Sequence, residues 1–216
     1  MKNKNKIMGI VIGSVVLAIT IGLICFFFIP RIDYDYDKEA DCYYVDKVYG
    51  NARHYEILDE IDGKKVAYID EKAFMDKTNL KTVKMGKNIT KIERLAFSNC
   101  ENLLSIDLTN VITIERNAFM DCKSLESVDL YVVDLLGGAF YDCLALKEVT
   151  LHNTVTIGSY AFAGTQISEI ILPETLSMIG EDAFYNCQYL KKVECYSKRL
   201  GQDDYLLSLK DIVIFK

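Results

Sequence analysis

The sequence predicts an α/β fold: a solenoid with a parallel sheet along one face, preceded by one N-terminal transmembrane helix. Three observations carry this reading. The dipeptide Ala-Phe recurs, ending at Phe74, Phe97, Phe119, Phe140, Phe162 and Phe184, with spacings of 21 to 23 residues. Each unit runs into alternating aliphatic residues, the pattern of a strand with one buried face. A stretch of 23 uncharged residues, 7–29, stands ahead of all the repeats.

That uncharged stretch explains the composition. Mean hydropathy is +0.10 although 26% of the residues are charged. As a helix, residues 7–29 would reach about 34 Å, against a hydrocarbon core of about 30 Å. Phe26-Phe27-Phe28-Ile29-Pro30 offers no small-x-small cleavage site, so a retained anchor is read in preference to a cleaved signal. Ile24 stands where a lipoprotein Cys25 would need a small residue before it. Lys2, Lys4 and Lys6 precede the span, and Asp33, Asp35, Asp37, Glu39 and Asp41 follow it. The positive end stays inside, so residues 1–6 form a cytoplasmic tail and the rest faces outward.

Residues 30–46 read as an acidic, tyrosine-rich juxtamembrane stalk in solvent. Asp33, Asp35 and Asp37 match the first three ligands of an EF-hand loop. Lys38 then replaces the turn glycine and Tyr44 the bidentate glutamate, so no metal is expected. Net charge is −6, and beyond the span thirty-one acidic residues face twenty-two basic ones. Such a chain lacks the basic face that nucleic acid requires.

The repeat is regular beyond its Phe. Five residues before it stand Ile69, Ile92, Ile114, Leu135, Ile157 and Ile179. Three earlier stand Val66, Ile89, Val111, Val132, Thr154 and Leu176. Cys follows Phe by three at Cys100, Cys122, Cys143 and Cys187, with Lys77 and Thr165 in the other two units. Leu80, Leu103, Leu125, Leu146 and Leu190 come six on, and Val83, Ile106, Val128, Val149 and Val193 nine on. The unit of Phe162 is one residue short and uses Ile167, Ile170 and Leu172. A degenerate last unit has Leu209, Ile212 and Ile214.

The Ile-x-x-x-Ala-Phe segment has helical spacing and suits one short helical turn. Asp76, Asn99, Asp121, Asp142 and Asn186 then turn the chain. One unit buries about six apolar side chains at roughly 1.5–3 kcal/mol each. Ordering its backbone costs about 1–2 kcal/mol per residue. Single units therefore cannot fold alone, whereas stacked ones share a core. Residues 47–69 read as an N-terminal cap with a hairpin at Asp62-Gly63. Residues 198–207 are expected to cover the other end.

The pattern I-x-x-x-A-F-x-x-C-x-x-L-x-x-V-x-L resembles the BspA-like (Treponema-type) leucine-rich repeats. The resemblance covers residues 66–214 in six to seven units. It implies a right-handed α/β leucine-rich-repeat solenoid on a bacterial surface protein that binds host or neighbouring-cell molecules.

The repeat cysteines occupy one column, so they read as small buried side chains, with Cys187–Cys195 or a Cys42 pairing as alternatives. No C-x-x-C pair, G-x-S-x-G, P-loop or H-E-x-x-H occurs, and there are only two histidines. No catalytic residue, cofactor or metal is expected. Side chains alternate along a strand, so the tenth residue after each Phe faces outward. That column reads Lys84, Asp107, Asp129, Thr150, Ile171 and Glu194. Asp107 and Asp129, about 5 Å apart on adjacent strands, would need a cation or a cationic partner. The next column is Thr109, Tyr131, His152, Pro173 and Tyr196. Asp107, Asp129, Tyr131, His152 and Tyr196 thus make a candidate recognition strip. Its alternative is ordinary solvated sheet.

The expected function is adhesion-like, non-catalytic binding of a protein or glycan ligand by a single-pass protein of the cell membrane. A membrane-tethered scaffold or regulator of another envelope protein is the second reading. A polysaccharide-acting hydrolase is the third.

Overall fold

Where the backbone N–H groups go decides what each repeat becomes. The computed structural model describes residues 7–10, 30–200 and 212–216. In it the Ala-Phe segments close tight turns but no α-helical bonds along their own chain. Phe74 N–H donates to the carbonyl of Ala96, Phe97 to Ala118, Phe119 to Ala139, Phe140 to Ala161 and Phe162 to Ala183, all at 2.8 Å. Each segment is a stack of turns bonded to the next coil. The expected helical turns, and with them the α/β class, are not found: among the described residues there is no helix. The fold is a β-solenoid of about seven turns.

Backbone torsion gives the reason. Two residues before each Phe, Lys72, Leu95, Asn117, Gly138, Tyr160 and Asp182 have φ between 54° and 67°. Two residues after it, Asp76, Asn99, Asp121, Asp142, Gly164 and Asn186 have φ between 54° and 74°. A right-handed helix cannot run through left-handed residues. For a side chain such as Leu95 the conformation costs about 1–2 kcal/mol, which the bonds to the next coil offset.

The aliphatic residue five before Phe lies in a strand instead. Strands β6 (Lys64–Ile69), β8 (Lys91–Ile92), β10 (Thr113–Ile114), β12 (Asp134–Leu135), β14 (Thr156–Ile157) and β16 (Met178–Ile179) pair in parallel, in register, with that aliphatic buried. The second strand of each coil builds the other face. These are β4 (His54–Glu56), β7 (Thr82–Lys84), β9 (Ser105–Ile106), β11 (Ser127–Leu130), β13 (Glu148–Leu151), β15 (Glu169–Leu172), β17 (Lys192–Cys195) and β18 (Val213–Phe215). They pair in parallel as β4–β7–β9, β11–β13 and β15–β17–β18. In β11, Val128 and Leu130 are buried while Ser127 and Asp129 are exposed.

Between the faces the six phenylalanines stack, ring centroids 4.7 to 5.7 Å apart. The cysteine column packs beside them. Cys100 Sγ–H donates to Phe74 O at 3.1 Å, Cys122 to Phe97 O at 3.3 Å and Cys143 to Phe119 O at 3.1 Å. Cys187 repeats the contact on Phe162 O at 3.1 Å. Lys77, at the head of the column, donates to Gly50 O at 3.0 Å, and its burial lowers its pKa. All six described cysteines are free.

The N-terminal end departs from the sequence reading. Residues 30–46 are not a solvated stalk. Strand β2 (Arg31–Asp37) pairs antiparallel with β3 (Cys42–Tyr49), and β3 pairs in parallel with β6, closing the first coil. Ile32 and Tyr34 enter the core, and Asp33 and Asp35 are buried with them. The acids find local hydrogen-bond donors. Arg31 donates to Asp33 at 3.1 Å while lying 3.9 Å over the Tyr49 ring, Tyr44 donates to Asp35 at 3.2 Å, and Tyr68 donates to Asp37 at 3.0 Å. Burial pushes the Tyr34 hydroxyl up to about 12. Strand β5 (Glu60–Ile61) pairs antiparallel with β6 across Asp62-Gly63, both at positive φ.

Of the expected transmembrane helix, residues 11–29 lie outside the described residues, and β1 (Ile7–Ile10) pairs antiparallel with β2. Among the described residues no helix is long and apolar enough to cross a membrane. Residues 1–6 and most of the expected C-terminal cover, 201–207, also lie outside them. The last unit is slipped by one residue. Val213 pairs with Val193, which turns Ile214 outward beside Glu194, so Ile214 is not a core residue.

We expect Phe119→Ala, which removes a fully buried ring from the middle of the stack, to cost about 3–5 kcal/mol in urea unfolding. Phe184→Ala, at the end of the stack, should cost less. Burial pushes the Cys100 thiol up to about 12 and those of Cys122 and Cys143 in the same direction. These thiols therefore stay protonated at pH 8, and the thiolate is the reactive form. A disulfide reagent should leave them unmodified in the native chain at pH 8 and titrate all six described cysteines in guanidinium.

Candidate functional site

The strand face presents its outward side chains in columns within each ladder, where β11 with β13 and β15 with β17 pair without offset. The five residues of the candidate strip all lie on this face, but they divide. Asp107 accepts from Thr109 N–H at 3.0 Å and from Thr109 Oγ1–H at 2.7 Å. These two donors hold its carboxyl below the usual range. It is bound to its own loop and joins no cation. Asp129 turns the other way and accepts from His152 Nε2–H at 2.6 Å. The His152 ring stacks on Tyr131, centroids 4.0 Å apart and planes within 8°. Asp129, Tyr131 and His152 thus form one cluster across two coils, with Asp129 and His152 exposed and Tyr131 half-buried. Asp107 and Asp129 thus take two different partners, Thr109 and His152.

Tyr196 belongs to a second cluster, two coils on from His152. It donates to Glu194 at 3.2 Å, and Glu194 accepts from Lys192 at 2.7 Å. Lys192 and Tyr196 hold the Glu194 carboxyl below the usual range, Lys192 contributing most. Between the clusters lie Ile171, 55% exposed, and Pro173. Ile214 extends the same column beyond Glu194. Repeat spacing places it in the core, and only the strand register reveals it on this face. Among the described residues no group of three or more His, Cys, Asp or Glu side chains is placed to hold a metal ion.

The profile of the BspA type leucine-rich repeat region matches in six copies over residues 55–156 and 134–207. The chain belongs to that family. No curated protein sequence matches it significantly. Among solved structures, this BspA-type chain is similar to a leucine-rich cell surface protein of Faecalibacterium prausnitzii, with 23% identity and a TM-score of 0.61 over 81% of this chain and 55% of that one. It is also similar to the leucine-rich repeat protein of T. pallidum (23%, TM-score 0.56, 80% and 70%) and to the pneumococcal vaccine antigen PcpA (20%, TM-score 0.60, 78% and 49%). The chain spans about half the length of the first and last of these. At such identities the likeness is one of fold.

Both members of the Asp129–His152 contact are exposed, so the pair is worth less than about 1 kcal/mol. Asp129→Asn and His152→Ala, alone and together, should shift the urea midpoint of this BspA-type solenoid only slightly. The strip's variants then serve as clean probes of binding.

Proposed function

We propose that the chain is a non-catalytic binding protein that displays its repeats outside the cell to a protein or glycan ligand and is anchored in the cell membrane by the uncharged stretch 7–29, a state in which Ile7–Ile10 would leave the strand they form against β2. The observation that carries this reading is the strip from Tyr131 to Tyr196. It sets the half-buried Tyr131 ring and the exposed His152 and Tyr196 rings beside carboxylates on the strand face, and its polar groups are oriented by one another. Leucine-rich-repeat proteins of this family typically serve surface binding or adhesion, and the similar protein of Faecalibacterium prausnitzii is a cell surface protein. The basic residues 2–6 and the uncharged stretch 7–29 support the anchoring and its orientation.

The test uses the full chain in lipid nanodiscs as bait for immobilised matrix proteins, glycans and foreign cells. For a ligand so captured, Tyr131→Ala and Tyr196→Ala should each weaken binding by about 2 kcal/mol, roughly thirtyfold. Unchanged binding removes the strip from the mechanism. Recovery of a neighbouring envelope protein instead would favour the scaffold reading. Protease added to intact cells should remove the repeats, and full protection would overturn the orientation.

A further inference from the structure

We propose that a second surface, a groove beside the β10–β12–β14–β16 ladder, takes an extended apolar peptide segment of a partner protein that presents a carboxylate side chain to Arg116. The groove shares no residue with the strip, and the proposal stands independently of it. In the first coils the two positions after the ladder strand carry charges that pair across coils. Arg94 pairs with Glu71 of the preceding coil, and Glu115 lies 3.3 Å from Lys91 on the preceding coil's strand. In the later coils the same positions hold Leu136-Gly137, Gly158-Ser159 and Gly180-Glu181. The covering side chains stop there, and a concavity of about 750 Å³ opens.

Its floor is backbone and is set by the approach of the coils. A Cβ on Gly158 would stand 2.4 Å from Gly137 N, and one on Gly180 would stand 2.2 Å from Ser159 N. Its walls are Met120, Tyr141, Tyr160 and Met178. Met178 is 60% exposed and Tyr160 41%. Tyr, Met and Arg are the side chains enriched where proteins dock.

Charge complementarity names the occupant. Arg116 is the one charged residue lining the groove, and among the described residues it has no ion-pair partner, although its neighbour Glu115 is paired. A guanidinium beside an apolar trough suits a carboxylate on an apolar segment. From the coil of Arg116 to that of Gly180 the groove runs about 14 Å, the length of about four extended residues.

The full chain, labelled at its methionine methyls and held in phosphatidylcholine nanodiscs, is titrated with acetyl-Glu-Val-Leu-Val-amide and with the same peptide carrying Gln or Lys in place of Glu. The Glu peptide should shift the Met120 and Met178 methyls while leaving Met75 and Met85 in place. Affinity should fall about tenfold for the Gln peptide. Arg116→Glu should lose the Glu peptide and accept the Lys peptide, and Arg116→Gln should level all three. Unperturbed Met75 and Met85 signals certify that each variant is folded. Tyr131→Ala, on the strip, should leave the groove's affinities for the three peptides as they are. The proposal is overturned if no shift at Met120 or Met178 occurs at millimolar peptide, or if the three peptides act alike on the native chain. Shifts that grow with protein concentration alone, or with anionic lipid in the disc, would assign the groove to a second copy or to lipid and overturn it equally.

Discussion

A backbone N–H that has no partner in its own coil must find one in the next, and the architecture follows from that demand. In this chain the turn segments, the short ladder strands and the longer strands all bond across coils. Stacking is therefore the condition under which each coil's local geometry is tolerable at all. The left-handed residues on both sides of each Phe would be strained in isolation, and in the stack they aim alternate N–H groups, such as those of Lys72, Phe74 and Asp76, at the following coil. The phenylalanines fill the space so enclosed. Their ring separations repeat the coil spacing because one backbone ladder sets both.

This also explains which features could be read in advance. The repeat and its alternating strands are local patterns, and the sequence displays them plainly. The destination of a hydrogen bond is not local. An aliphatic residue four before Ala fits a helix as well as a strand followed by turns, and nothing in Leu95 or Tyr160 advertises a positive φ. In residues 31–37 two signals compete. Acidic composition suggests solvent, whereas the alternation of Ile32 and Tyr34 suggests a strand, and the strand prevails because Arg31 and the tyrosine hydroxyls meet the carboxylates. At Val213 a single residue of slip is invisible to spacing rules yet exchanges inside for outside.

The site was legible to the same degree. Placing Tyr131 and His152 in one column requires only the repeat length, and the two rings do stack. That Asp129 would reach His152 while Asp107 would fold onto Thr109 depends on side-chain rotamers that no column reveals. The result bears on recognition. A tyrosine already held by its neighbour has little rotamer freedom left to lose, which removes up to about 0.5–1.5 kcal/mol from the cost of ordering it against a ligand.

The cysteine column has a consequence of a mechanical kind. Its thiols each lean on a carbonyl of the preceding coil, but no disulfide joins one described coil to another. Tension along the solenoid axis is borne by ladders of hydrogen bonds lying nearly parallel to the pull, and these separate rung by rung. A coil that lets go releases about 22 residues, roughly 75 Å of slack, while its neighbours stay folded. A chain built this way yields to traction in steps, where a chain laced by disulfides would hold rigid until it broke.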